Sequence, residues 1–218
     1  EDGGAPLGRL IPARCATFFT LCTLNLPELD DCETVSCSSE LRPKLLLAPA
    51  APLDAMALSP AACAFEYYDL GASAPLPMVQ ERRHELVVSR AGVLNCLGCF
   101  LWVDLGAGQP FDGVDEAEAD AFLEPRFPFG DHSLPAAQGR CNEFTSLCSA
   151  GTLAAGSYAS NWQNPLLLLP SPAFVRPGDR VVVRTHATAH STRPSYMFEV
   201  GLLPAGSPAG AALLGRFR

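Results

Sequence analysis

Apolar and polar positions alternate with a period of two in several short stretches of this chain, which is the signature of half-buried strands. Residues 14–24 (RCATFFTLCTL) are rich in β-favouring types and read as a strand. Residues 65–70 read as a second, with Phe65, Tyr67 and Asp69 on one face and Glu66, Tyr68 and Leu70 on the other. The longest strand-like region is 81–105. Ala91-Gly92 divides it by a turn or bulge between 85–89 and 93–105. Regular structure resumes over 161–169. Residues 170–178 read as a turn, punctuated by Arg176-Pro177-Gly178-Asp179. Residues 180–188 and 195–203 are strands. In the last, Tyr196, Phe198 and Val200 alternate with Met197, Glu199 and Gly201.

The remaining stretches are irregular. Residues 29–40 are acidic and cysteine-bearing and read as loop. Residues 45–62 hold Pro49, Pro52 and Pro60 and read as extended segments or one short helix. From about 107 to 158 periodicity is lost. An acidic patch (112–120) and an aromatic-proline run (122–129) lie inside this stretch, which is too long for an ordinary loop and reads as a long irregular insertion. The expectation is a mainly β chain, an antiparallel β-barrel or sandwich with short helices. Its domain would span 14–204, after a linker at 1–13 and before a flexible tail at 205–218.

Composition agrees with short strands. Twenty prolines and eighteen glycines in 218 residues work against long helices. The net charge of −8 disfavours direct nucleic-acid binding, because phosphates would be repelled. No apolar run approaches the ~20 residues of a membrane helix, so no membrane partner is expected. Nine cysteines are an odd number and admit a disulfide scaffold, but such scaffolds are usually short chains without a large core. Residues 1–4 lack the basic and apolar regions of a signal peptide. These points favour a reducing compartment, cytoplasmic or nuclear, with thiols acting as small apolar side chains. The opening at Glu1, followed by Gly3-Gly4, reads as a cut at a domain junction.

Three chemical motifs require weighing. Val103-Asp104-Leu105-Gly106-Ala107-Gly108 resembles a cofactor-binding glycine turn, but Pro110 stands at the third glycine and a helix start is lacking, so a turn after a strand is the better reading. Cys96 and Cys99 have the spacing of a metal or redox pair, yet in a strand they would point to opposite faces. His186 and His190 would lie about 13 Å apart in an extended chain, too far for one metal. Cysteine–histidine catalysis, with His84, His132, His186 or His190, lacks a local signature. No metal ligand and no catalytic residue is expected in this chain.

Four segments, in order, resemble the C-terminal β-barrel of the protein arginine methyltransferase family. The first is Gly3-Gly4 with residues 8–18 (GRLIPARCATF), similar to the passage leaving that family's cofactor domain. The second is residues 94–105 (LNCLGCFLWVDL), similar to a barrel strand. The third is residues 160–168 (SNWQNPLLL), similar to the family's Thr-His-Trp loop and following strand. The fourth is residues 174–181 (FVRPGDRV), with 195–200 as a closing strand.

The resemblance implies that Ser160, Asn161 and Trp162 form the loop lining the substrate arginine channel. It implies that the catalytic glutamates and the S-adenosylmethionine site lie in a domain before this region, so this chain alone binds no cofactor. The partner would be an arginine-containing protein substrate. Asn161 stands where the family has histidine. An amide offers hydrogen bonds but holds no proton as imidazole does. This departure favours a divergent or inactive member, and a non-catalytic interaction module is the alternative. The family dimerises through a helical arm. Residues 41–62 lie at that place but are short and proline-rich, which argues against an ordinary arm in a homodimer.

Overall fold

Strand β1 (Arg14–Cys22) carries apolar residues on both faces. Phe19 and Leu21 belong to one buried cluster, and Ala16, Phe18 and Cys22 to another. A strand buried on both sides belongs in the middle of a sheet, and β1 is central here. The structure is a computed structural model that describes residues 14–24, 32–35, 44–47, 53–70, 75–104, 126–128, 143–145, 163–189, 194–206 and 212–217.

The larger sheet runs β2 (Cys32–Val35), β3 (Lys44–Leu47), β9 (Asn164–Val175), β6 (Gly92–Asp104), β1, β4 (Ala61–Asp69) and β7 (Arg126–Pro128), with β8 (Glu143–Thr145) added to β6. The smaller sheet runs β12 (Ala212–Phe217), β11 (Ser195–Leu203), β10 (Arg180–Thr188) and β5 (Val79–Val87). The strand pairings are antiparallel. One short helix, α1 (Leu53–Met56), packs Leu53 over Gly98 of β6. A Cβ at Gly98 would sit 2.5 Å from Leu53 Cδ1, so glycine makes this approach possible.

The chain is mainly β, as its alternation predicts, and the two sheets form a sandwich-like arrangement rather than a closed barrel. Their inner faces share a core that includes Phe19, Phe65, Phe198, Val183 and Leu97. Phe65 meets Phe198 edge-on at 5.1 Å, and Phe19 meets Phe198 at 6.0 Å. The flanks of the sheets meet at two seams. At one, the Gln80 amide of β5 reaches the backbone of β4. At the other, Gly215 of β12 lies against the Pro170 ring of β9, close enough that a Cβ would fall 2.5 Å from Pro170 Cδ. Proline has no N–H to offer a neighbouring strand, which keeps this seam from zipping into a ladder.

Several expected boundaries change. Residues 32–35, expected as loop, form β2. β9 continues through Pro170 and Pro172 to Val175, so the turn is confined to the residues around Pro177 and Gly178. The prolines are tolerated because the β6–β9 register shifts between Leu94 and Cys96, and bulges accept proline. Asn95, set free by that shift, clips β1's end instead: its side chain accepts from Leu24 N–H and donates to Leu24 C=O, both at 2.8 Å. Residues 212–217, expected in a flexible tail, form β12, with Leu214 buried in the shared core. Of the expected insertion at 107–158, only β7 and β8 are described, and the linker at 1–13 lies outside the described residues.

Candidate functional site

One end of the sandwich gathers several strand termini. β1 begins there at Arg14, opposite Asp69 at the end of β4 and Asp104 at the end of β6. β9 begins at the same end, since Leu166 pairs with Gly98 and Asn164 lies two residues earlier. The smaller sheet brings the start of β5, the end of β10 and the start of β11. Here the core gives way to a polar mouth between the sheets.

The mouth is organised by Glu66. A bulge between Thr17 and Phe18 pairs Thr17 with Glu66 but Phe18 with Ala64. The extra residue lets Phe65 enter the inter-sheet core, while Tyr67 packs against the cluster on the other face of the sheet. The expected placement of Phe65 and Tyr67 on one face is thereby corrected. Simple alternation does not survive a bulge.

Glu66 is half-buried and surrounded by hydroxyls. Thr17 Oγ1 donates to its Oε1 at 2.6 Å, and Tyr68 OH donates to its Oε2 at 3.3 Å. The Tyr196 phenol, arriving from β11, feels the Glu66 charge. Burial and the Glu66 charge together raise the Tyr196 phenol well above its ordinary range. The same two causes, burial first, raise Tyr68 and the Cys15 thiol. All three therefore stay protonated near neutrality. The tyrosines act as donors, and Cys15 is a thiol rather than the thiolate that nucleophilic chemistry needs.

The mouth has a firm floor. Phe65 meets Tyr196 edge-on at 5.5 Å. Gln80, buried on β5, accepts from Tyr67 N–H at 3.0 Å and donates to Tyr67 C=O at 2.9 Å. Arg82 also donates to the Gln80 oxygen at 2.9 Å.

The sequence-predicted loop residues Ser160, Asn161 and Trp162 lie outside the described residues. Of their segment, Gln163 and β9 are described, and Asn164 is fully buried opposite Leu47. Val103 and Asp104 are in β6, paired antiparallel with β1 and β8. A cofactor glycine turn follows a parallel strand, so this strand does not provide one. Cys96 and Cys99 are buried in different clusters on opposite faces of β6, as alternation requires. His84 packs edge-on against Phe19 at 5.4 Å inside the core. His186 contacts Glu81 through Nδ1 at 3.0 Å and Thr188 through Nε2 at 2.9 Å on the half-exposed outer face. His132 and His190 lie outside the described residues. Among the described residues, no three His, Cys, Asp or Glu side chains come together as a metal site would need.

Sequence reasoning missed Thr17, Glu66, Tyr68 and Tyr196 as a group. The alternation places Glu66 with Tyr68, but their convergence with Thr17 and Tyr196 depends on the bulge and on sheet packing.

The fold is a two-sheet antiparallel β-sandwich. The chain is similar to the Trypanosoma brucei PRMT1 enzyme–prozyme heterotetrameric complex with AdoHcy, at a TM-score of 0.51 and 9% sequence identity. The match covers 95% of this chain and 57% of that one, so this chain spans little more than half of its structural neighbour. At that identity the likeness is one of fold. No protein-family model and no curated protein sequence matches the chain.

Proposed function

We propose that this chain is the substrate-side β domain of a protein arginine methyltransferase-like protein. Joined to a cofactor-binding domain, it would serve transfer of a methyl group from S-adenosylmethionine to a protein arginine. The observation that carries this reading is the fold likeness, which extends over 95% of the chain. The four segments resembling the family's barrel support it, because the described parts of three of them fall on β1, β6 and β9, adjacent strands of one sheet. In this reading Ser160, Asn161 and Trp162 line the substrate channel. The domain's contribution is positioning of the guanidinium, which lowers a barrier without supplying reactive groups.

S-adenosylmethionine belongs to the joined domain, and the matched structure was solved with AdoHcy. A second reading is a non-catalytic interaction domain, favoured by Asn161 in place of the family's histidine. The matched complex itself combines an enzyme with a prozyme.

The coding sequence upstream of Glu1 tests the proposal. A strand, a glycine-rich turn and a helix, followed by two glutamates in a hairpin, supports the enzymatic reading. An unrelated domain or a start codon at that point overturns it. Calorimetry on this chain should detect no S-adenosylmethionine binding, and micromolar binding would contradict the assignment of the cofactor to another domain.

A further inference from the structure

We propose that Thr188 is a site of O-acylation, with His186 as its general base, Glu81 positioning that base, and an activated ester or thioester of a short-chain acid as the acyl donor. The inference concerns the outer face of the smaller sheet and does not rest on the methyltransferase reading.

The first argument is the order of three side chains. His186 Nε2 lies 2.9 Å from Thr188 Oγ1, and His186 Nδ1 lies 3.0 Å from Glu81 Oε1. His186 and Thr188 alternate with Ala187 on β10 and so share a face, and Glu81 stands opposite His186 on β5. A carboxylate only accepts, so the imidazole hydrogen sits on Nδ1, and Nε2 presents its lone pair to the Thr188 hydroxyl, which donates. Hydroxyl, imidazole and carboxylate in this sequence form the arrangement that activates an alcohol oxygen. A hydroxyl is a weak nucleophile near neutrality, and an adjacent base removes its proton as the new bond forms.

The second argument is access on a rigid support. The His186 side chain is 35% exposed and that of Glu81 76% exposed. Thr188 is half-buried. A reagent can reach the three from solution, unlike His84, which packs against Phe19 in the core. β10 is paired on both sides, by β5 and β11, so the hydroxyl and its base are carried on backbone that is held in place.

The third argument selects the donor. Val79 stands opposite Thr188 across the ladder. Ala189, next in the chain, donates its N–H to Met78 C=O at 2.8 Å. Leu76, Met78 and Val79 are all exposed. Exposed apolar residues gathered beside one hydroxyl favour a donor whose acyl group carries a hydrocarbon chain. In the reaction the bond between Thr188 Oγ1 and the acyl carbon forms, and the bond from that carbon to the leaving oxygen or sulfur breaks. The leaving group takes the electron pair. The Thr188 proton passes to His186 Nε2 and from there to the leaving group or to water.

The test uses the full 218-residue chain and p-nitrophenyl butyrate at neutral pH. Release of p-nitrophenolate gives the rate. Peptide mass mapping of acid-quenched protein gives the modified residue, after brief neutral hydroxylamine has stripped thioesters from cysteines. Lys44, the one lysine of the chain, and the N-terminus are the competing amines. A butyryl group is expected on Thr188. His186→Gln is expected to slow its appearance by about tenfold or more. Glu81→Gln should slow it less, and Glu81→Asp should restore part of that loss. Thr188→Val keeps the shape and should abolish the fast release. The acetyl ester should react more slowly than the butyryl ester once each is scaled to its rate with free imidazole, and the reverse order overturns the choice of donor. Label confined to Lys44, the N-terminus or His186 overturns the proposal, as does Thr188 labelling that is equally fast in His186→Gln and wild type. Should His186→Gln fold poorly, the wild type decides alone. Thr188 labelled about tenfold faster than the other threonines and serines supports the proposal, and equal labelling overturns it.

Discussion

The Gln80 side chain bonds both backbone groups of Tyr67, at 3.0 Å to its N–H and 2.9 Å to its carbonyl. An amide offers one acceptor and two donors, so it can imitate a neighbouring strand. β7 pairs with β4 only at residues 61–63, which leaves the Tyr67 edge to be completed from the other sheet. Asn95 does the same for Leu24 at the opposite end of β1. Among the described residues, the Gln80 side chain joins the β4–β5 flank where the sheets form no backbone ladder.

Gln80→Leu is expected to destabilise the chain by about 2–4 kcal/mol, since it removes both bonds and leaves two backbone groups unmatched. Gln80→Glu should lie between leucine and wild type. It keeps the acceptor for Tyr67 N–H and loses the donor for the carbonyl. Denaturant melts of the three proteins check the order.

Gly215→Ala is expected to destabilise by about 1–3 kcal/mol through overpacking. The new Cβ would meet the Pro170 ring at 2.5 Å to Cδ and 2.6 Å to Cγ, and a proline ring does not swing aside. Pro170→Ala should relieve the clash, so the double variant should be more stable than the two single losses added together. Strict additivity in the double-mutant cycle would show that the seam is loose.

Thr185 Oγ1 is buried on the inner face of β10, with no hydrogen-bond partner among the described residues. Valine matches its shape and does not carry the hydroxyl. Thr185→Val is therefore expected to raise stability by roughly 1 kcal/mol, the low end of the cost of an unsatisfied buried hydroxyl. An unchanged or lower denaturation midpoint would mean that the hydroxyl is satisfied in solution.

Much of this architecture was legible from alternation alone. The bounds of β10 and β11 follow from Val181, Val183 and Phe198, Val200 facing inward every second residue. The division at Gly92 is where β6 begins. What escaped was set by events that a period of two does not encode. The bulge beside Thr17 sends Phe65 and Tyr67 to different faces. Pro170 and Pro172 look like a turn, but an irregular stretch of β6 receives them. The candidate site was less legible. Thr17, Glu66 and Tyr196 are separated by 49 and 130 positions in the chain, and sheet packing brings them together. The Ser160–Trp162 assignment came from resemblance and is untouched by the described geometry.

On the outer face of the smaller sheet, Glu199 of β11 receives Arg216 from β12 and Arg184 from β10. The Arg216 hydrogen bond is the main reason its carboxyl titrates below the ordinary carboxylate value of 4.5. A depressed folded pKa contributes stability above that value and loses it as pH falls below. Glu199→Gln should flatten the decline of thermal stability between pH 5 and pH 3, and added salt should shrink the difference because the pair is exposed. A decline as steep in the variant as in the wild type would assign acid sensitivity to other carboxylates.

Tyr196 provides the opposite sign. Burial and then the Glu66 charge raise its phenol above the ordinary value of 10. A folded pKa above the unfolded one means that the folded state holds its proton more tightly. The stability linked to that proton is fully present below pH 10 and is lost as pH rises from there toward the folded value. The folded protein should therefore show one tyrosine that resists ionisation in an absorbance titration at 295 nm, and its thermal stability should drop across the same alkaline window. Tyr196→Phe removes the phenol but keeps the ring against Phe65, so this late titration should vanish and the alkaline drop should shrink. Glu66→Gln should lower the Tyr196 pKa while leaving it above 10, because burial remains the larger cause. If Glu66→Gln returns Tyr196 to ordinary titration, the carboxylate rather than burial governs the mouth. If it changes nothing, the phenol and the carboxylate do not face each other in solution.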